Sequence, residues 1–247
     1  MQLKKIADFL DRELDMSVPD TAKNGVQVWG KLEVKKIAFG VDASLELFEK
    51  AKEAGCDMAI VHHGLFWGDY EPLTGPHYER VRYLMNHRIS LYAAHLPLDM
   101  HPVFGNSILL AKIVGLTEIE EFGDYHGTAI GFAGKTSTSV KQLAKSLDAA
   151  LNTRCRILQF GPEKIESAAV ASGRACSTLA EAIAKGYPCL VTGEAVHERY
   201  HAAKEGRISL ITAGHYATET LGIKALMERV REKLKIAGTF IDLPTGF

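Results

Sequence analysis

The sequence predicts an α/β fold built from two similar halves, and three observations carry that expectation. Short β-type runs alternate with helical patterns, the rhythm occurs twice, and segments of the second half echo segments of the first. In the first half the β-type runs are "KKIAFGV" (35 to 41), "MAIVHH" (58 to 63) and "ISLYAAH" (89 to 95). Helical patterns lie between them, from Ser44 to about Ala54 and from near His77 to His87. In the second half the runs are "ESAAVASG" (166 to 173), "PCLVTGE" (188 to 194) and "ISLITAGH" (208 to 215). The intervening helices run from Ser177 to Lys185, stopped by Gly186, and to about Glu205, stopped by Gly206.

The echo goes beyond rhythm. "AKEAGCDMAIVHHG" lines up with "EAIAKGYPCLVTGE", and "RISLYAAHLPLD" lines up with "RISLITAGHYATE" after one inserted residue. His95 then corresponds to His215 and Asp99 to Glu219, each His four residues before its carboxylate. A duplication with mixed sheets follows, with strand ends around a shared cleft where such folds bind ligands. The glycine-rich stretch from Phe122 to Lys135 precedes a helix start at Ser139, with Gln142 three residues on as capping partner. The halves are therefore expected at 1–123 and 124–247, with "GTFIDL" (238 to 243) able to pair with either sheet.

Composition excludes several function classes. Twenty-nine basic and 30 acidic residues give a net charge of -1, without the broad positive field that gathers nucleic-acid phosphates. The basic stretch "KALMERVREKLK" (224 to 235) carries Leu226, Met227, Val230 and Leu234 at helical spacing and reads as the solvated face of a packed helix. The opening "MQLKKIADFLDRELD" is broken by Asp8, Asp11, Glu13 and Asp15, so it is no secretory core, and no run is long enough to span a membrane. Cys56, Cys155, Cys176 and Cys189 have no short metal spacing and read as reduced packing residues of a cytoplasmic protein.

The chemistry gathers at strand ends. His62 and His63 close a buried-type run and are followed by Gly64, which would free the backbone so that both rings turn toward one pocket. With His95, Asp99, His215 and Glu219 they make four imidazoles and two carboxylates, the mixture used by hydrolytic two-metal sites. Nitrogen and oxygen donors without thiolate suit Zn, Fe, Mn, Co or Ni without choosing among them. Singly, each residue has a plainer use: a hydrogen-bonded core histidine, a turn cap at Asp99, a favourable helix-dipole contact at Glu219. Phe66, Trp67 and Tyr70 either wall a pocket or pack a subunit contact, and packing is the commoner use. A rival signal, "HERYH" at 197 to 201, fits the H-E-x-x-H pattern of zinc proteases, with Glu198 as base. It would leave the six strand-end residues unexplained.

Taken in order over nearly the whole chain, "NGVQV", "IVHHGLFW", "HLPLD", the "GN" at 105 to 106, "LVTGE", "AGHYATE" and "FIDLP" resemble the Nif-three-like family. Its members carry the designation GTP cyclohydrolase 1 type 2 homologue, and this sequence is similar to the short bacterial form. The resemblance implies two α/β halves, a dinuclear metal centre and a homohexamer arranged as a trimer of dimers. It implies His62, His63, Asp99, His215 and Glu219 as ligands of two divalent metal ions. His95 and Glu194 would lie close by as supporting or proton-transfer groups. One departure is "ASGRACS" (171 to 177), where relatives carry a richer run of glycines, so a backbone cradle for phosphate is not expected. The expected activity is a metal-dependent hydrolase acting on a small molecule, with GTP ring opening as the family's designated reaction. The alternatives are a non-catalytic metal scaffold or carrier and, third, the H-E-x-x-H protease.

Overall fold

The computed structural model describes residues 1–247 and divides the chain into two compact units. The first comprises Met1–Leu98 with Gly222–Leu243, and the second Asp99–Leu221 with Pro244–Phe247.

In the first unit α1 (Leu3–Glu13) precedes β1 (Gly25–Val28), β2 (Lys36–Asp42), α2 (Leu45–Glu53), β3 (Met58–His63), α3 (Gly75–His87), β4 (Ser90–Ala93) and α4 (Leu96–Asp99), whose last residue belongs to the second unit. The second unit holds α5 (Asn106–Ile113), β5 (Thr117–Tyr125), β6 (Thr128–Ser139), α6 (Val140–Leu151), β7 (Arg156–Leu158), β8 (Lys164–Ala171), α7 (Leu179–Ala184), β9 (Cys189–Thr192), α8 (Arg199–Glu205) and β10 (Ser209–Thr212). Helix α9 (His215–Leu234) starts in the second unit, and β11 (Ala237–Phe240) belongs to the first.

The first sheet has the order β1-β4-β3-β2-β11, with β4, β3, β2 and β11 parallel and β1 antiparallel on the edge. Its central strands are apolar runs buried along their length, as strands covered on both faces must be. Ser44 caps α2 by accepting from the Leu47 amide. The second sheet has the order β5-β6-β8-β9-β10-β7, with β8, β9 and β10 parallel and the others antiparallel. Ala169, Leu190 and Leu210 pack on one face with Leu179 of α7 and Ala203 of α8. Val170, Val191 and Ile211 pack on the other with residues of α5 and α6. The expected cap at Ser139 is made, its hydroxyl accepting from the Gln142 backbone N–H.

The two units repeat one topology. β1-β4-β3-β2 corresponds to β7-β10-β9-β8, each with three parallel strands in chain order and an antiparallel edge strand that precedes them. Small details repeat with it. Ser90 pairs with Met58 and Ser209 with Cys189 at the start of each central ladder. The Ser90 hydroxyl accepts from the Gly30 amide at 3.0 Å, and the Ser209 hydroxyl from the Gly161 amide at 3.1 Å. Arg88 and Arg207, just before these strands, both take the left-handed conformation, with φ of 54° and 53°.

Two expectations need correction. The ladders set Met58 opposite Cys189 in the repeat, not Pro188, so the matching of "MAIVHH" to "PCLVTG" shifts by one and His63 corresponds to Glu194. The expected boundary at 123/124 falls inside β5, because the glycine-rich stretch forms the β5–β6 hairpin, not a linker. Its glycines allow close approach: a Cβ on Gly134 would lie 2.6 Å from the Thr117 carbonyl oxygen, and one on Gly131 would overlap that of Val170.

Candidate metal centre

Three imidazoles of the first unit meet at the ends of β3 and β4. The rings of His62 and His63 lie 4.6 Å apart, His62 and His95 5.1 Å, and His63 and His95 5.6 Å, centroid to centroid. Each offers a ring nitrogen within 4.8 Å of the others, so the group could hold a metal ion.

Each ring is fixed through Nδ1. His62 Nδ1 lies 2.8 Å from the Ala94 carbonyl oxygen, and His63 Nδ1 lies 2.8 Å from Asp42 Oδ1. His95 Nδ1 lies 3.0 Å from both oxygens of Asp20. Carbonyls and carboxylates only accept, so Nδ1 is the donor and Nε2 carries the lone pair that a ligand needs. Gly64 does not act through a left-handed backbone. A Cβ there would overlap the Gln27 amide and lie 2.6 Å from Ala93 Cβ, so glycine lets Gln27 close over the strand end, where its Oε1 accepts from the Leu65 amide. Trp67 stands edge-on to His95 at 4.9 Å and donates its indole N–H to the Gly64 carbonyl. Trp67 thus walls the imidazole group. Phe66 packs on His77, and Tyr70 is exposed.

The second unit supplies carboxylates. Asp99 is buried, and its Oδ1 accepts from Asn106 Nδ2 at 2.9 Å and the Ser172 hydroxyl at 2.8 Å. At the start of α9, His215 and Glu219 stand one helical turn apart with Nε2 and Oε1 3.0 Å from each other. Glu194, just beyond β9, accepts from His215 Nδ1 at 3.2 Å. Burial alone would lower the His215 pKa, but hydrogen bonds and charge from Glu219 and Glu194 raise it to about 9. Gly173 makes room for this pair. With φ at 60°, a Cβ there would overlap Glu219 Oε1 and sit 3.2 Å from His215 Nε2. The Gly173 carbonyl in turn accepts the amides of Gly193 and Glu194, which ties the β9 end to the site.

The structure therefore brings His62, His63 and His95 together in the first unit, and Glu194, His215 and Glu219 together in the second. Asp99 is held in place by Asn106 and Ser172. "HERYH" does not form a ligand pair: α8 begins only at Arg199, His197 lies in the preceding turn, and both His197 and His201 are exposed. None of the clusters that could hold a metal includes either histidine. Residues that sequence reasoning missed are the supports Asp20, Asp42, Asn106, Ser172 and Gly173. Asn106, in "GN", and Ser172 and Gly173, in "ASGRACS", left a trace among the motifs; Asp20 and Asp42 left none.

Comparison with known proteins gives the family and the fold of the chain. The profile of Duf34/NIF3 (NGG1p interacting factor 3) matches residues 1–245. A GTP cyclohydrolase 1 type 2 homolog of Archaeoglobus fulgidus is 45% identical over 249 residues and covers 100% of both chains. One of Escherichia coli K12 is 35% identical over 252 residues and covers 99% of each. The crystal structure of TTHA1606 from Thermus thermophilus superposes with a TM-score of 0.93 at 34% identity, covering 100% of each chain. With a profile that spans the fold and relatives matched from end to end, this chain belongs to the Duf34/NIF3 family.

Proposed function

We propose that this protein is a metal-dependent hydrolase in which His62, His63, Asp99, His215 and Glu219 hold two divalent cations. The observation that carries the reading is the Nδ1 anchoring of three clustered imidazoles, which presets the lone pair of each on Nε2. Buried negative charge at Asp99 and Glu219 favours cations in the same way. Zn, Fe, Mn, Co or Ni would suit these donors. Such cations would supply Lewis acidity toward a carbonyl or phosphoryl oxygen and make water nucleophilic near neutral pH.

The chain's own residues do the rest. Glu194 orients His215 through Nδ1, and His95, walled by Trp67, is the proton-transfer group. The substrate is a small molecule; a nucleotide is favoured by the naming of the Archaeoglobus and Escherichia relatives as GTP cyclohydrolase 1 type 2 homologs. The working form is a cytoplasmic homohexamer, a trimer of dimers, which light scattering would register at six times the 27.1 kDa chain mass.

Elemental analysis of the purified protein tests the centre. About two metals per chain are expected in the wild type and in a His197→Ala/His201→Ala double variant, with loss in His63→Ala and Glu219→Ala. Metal that leaves only with His197 and His201 would refute this reading in favour of the protease motif. A metal-loaded protein whose Glu194→Ala and His95→Ala variants change no turnover would be a scaffold.

A further inference from the structure

Asp20 is the more enclosed of the two aspartates that hold imidazoles, with 3% of its side chain exposed, against 40% for Asp42. Four donors converge on it. The Ala22 amide reaches Oδ1 at 2.9 Å, Asn24 Nδ2 and the Leu96 amide reach Oδ2 at 2.9 and 3.1 Å, and His95 Nδ1 reaches both oxygens. Every partner is an N–H, so the site calls for an acceptor with no proton of its own, which an ionised carboxylate is and an amide is not. Asn24 completes the hold, since its Oδ1 accepts from the His95 backbone amide at 2.7 Å. Main chain and ring of His95 are thus both tied to the 20–24 segment, more than 70 residues away in sequence.

A turn alone would not require this. The Ala22 contact is an ordinary Asx turn and would persist on the surface. Burying a carboxylate is unfavourable unless every lone pair is matched. Here the matching includes one imidazole, whose ring also meets Trp67 edge-on at 4.9 Å.

We infer that Asp20 is a positioning residue that, with Asn24, holds His95 as the Nδ1–H tautomer with Nε2 presented to the site. The inference rests on the proposed role of His95 in proton transfer. An Asp–His pair of this kind fixes which nitrogen can accept a proton and leaves the carboxylate to orient the ring. His63 and Asp42 share the contact but not the burial, so Asp42 is a looser support.

The test reads the tautomer directly. Long-range ¹H–¹⁵N correlation spectra of the full-length chain are recorded with and without zinc, with His95 assigned by its loss in His95→Gln. The Nδ1–H form should dominate in the wild type. In Asp20→Asn the ratio of Nδ1–H to Nε2–H should fall about tenfold or more, the change that follows from losing a hydrogen bond to a charged acceptor. Zinc content should stay at the wild-type value. A wild-type His95 in the Nε2–H form would overturn the inference even if Asp20→Asn failed to fold. An unchanged ratio in a folded Asp20→Asn would overturn it as well, and so would metal loss as complete as in His63→Ala, which would make His95 a ligand. The tautomer needs neither substrate nor turnover, so failure of the hydrolase reading would be seen separately.

Discussion

The two units share a topology and divide the chemistry. At the end of β3 the first unit places His62 and His63; at the corresponding end of β9 the second places Gly193 and Glu194. At the end of β2 stands Asp42, which accepts from His63; its counterpart after β8 is Gly173, whose missing side chain admits Glu219 and His215. One scaffold therefore presents three imidazoles, two of them supported by carboxylates, and its repeat presents carboxylates around a single imidazole. The framework contacts, Ser90 to Gly30 and Ser209 to Gly161, are unchanged. The difference teaches that strand ends can be rewritten one residue at a time while the ladder beneath them stays fixed.

The sharpest way to break this division is Gly173→Ala. Left-handed strain of about 1–2 kcal/mol and overpacking of about 1–3 kcal/mol should together destabilise the protein, and Glu219 should be displaced. Thermal melting and metal content read both effects, and a variant with wild-type values would refute the equivalence argued for Gly173. The next effect appears in the chelated protein as a pair of opposite pH limits. His215 is raised from 6.5 to about 9, so its contribution is full below pH 6.5 and is lost as pH rises through about 9, worth at most about 3 kcal/mol. Burial alone would raise Asp20, but hydrogen bonds and charge from His95, with help from Asn24 and the Ala22 amide, lower it from 3.8 to about 2. That contribution is present above pH 3.8 and is lost as pH falls through about 2, worth about 2 kcal/mol. Glu219→Gln should flatten the alkaline limb and leave the acid limb alone, as denaturant melts across pH would show.

Smaller still, Ser90→Ala and Ser209→Ala should each cost about 1–3 kcal/mol by leaving a glycine amide unpaired. Similar losses in the two variants support the repeat, whereas a large cost in only one would count against it. The smallest stability change belongs to Asp42→Ala, under about 1 kcal/mol for a support 40% exposed. Its effect should show in metal affinity, reduced about 10- to 100-fold through the loosened His63.

Much of this was legible in the chain. Buried strands announce themselves as "KKIAFGV" or "CLVT", and the shared "RISL" marks equivalent strands, its arginine taking the same left-handed conformation in both. The one-residue slip between "VHHG" and "VTGE" arose because apolar runs align equally well in neighbouring registers. Only the hydrogen-bonded ladder decides between them; its register, carried back three residues, matches Gly55 with Gly186, both at positive φ. The supports were not legible for a different reason. Asp20 and Asp42 reach their histidines across 75 and 21 residues, and a lone aspartate in a polar stretch reads like any surface acid. Gly173 was noted as part of a departure from the glycine pattern; its use follows from Glu219, 46 positions later, which no local window contains.

The pairing of β11 with β2 carries a consequence for how the chain is made. Residues 36 to 42 leave the ribosome early, but the strand that covers their edge is encoded some 200 codons later. At about 5–20 residues per second, that edge waits roughly 10–40 s for its partner during translation. An uncovered parallel edge of "KIAFGVD" is a template for pairing with other chains. Nascent chains of this protein should therefore depend on chaperone cover until the last strand has been synthesised.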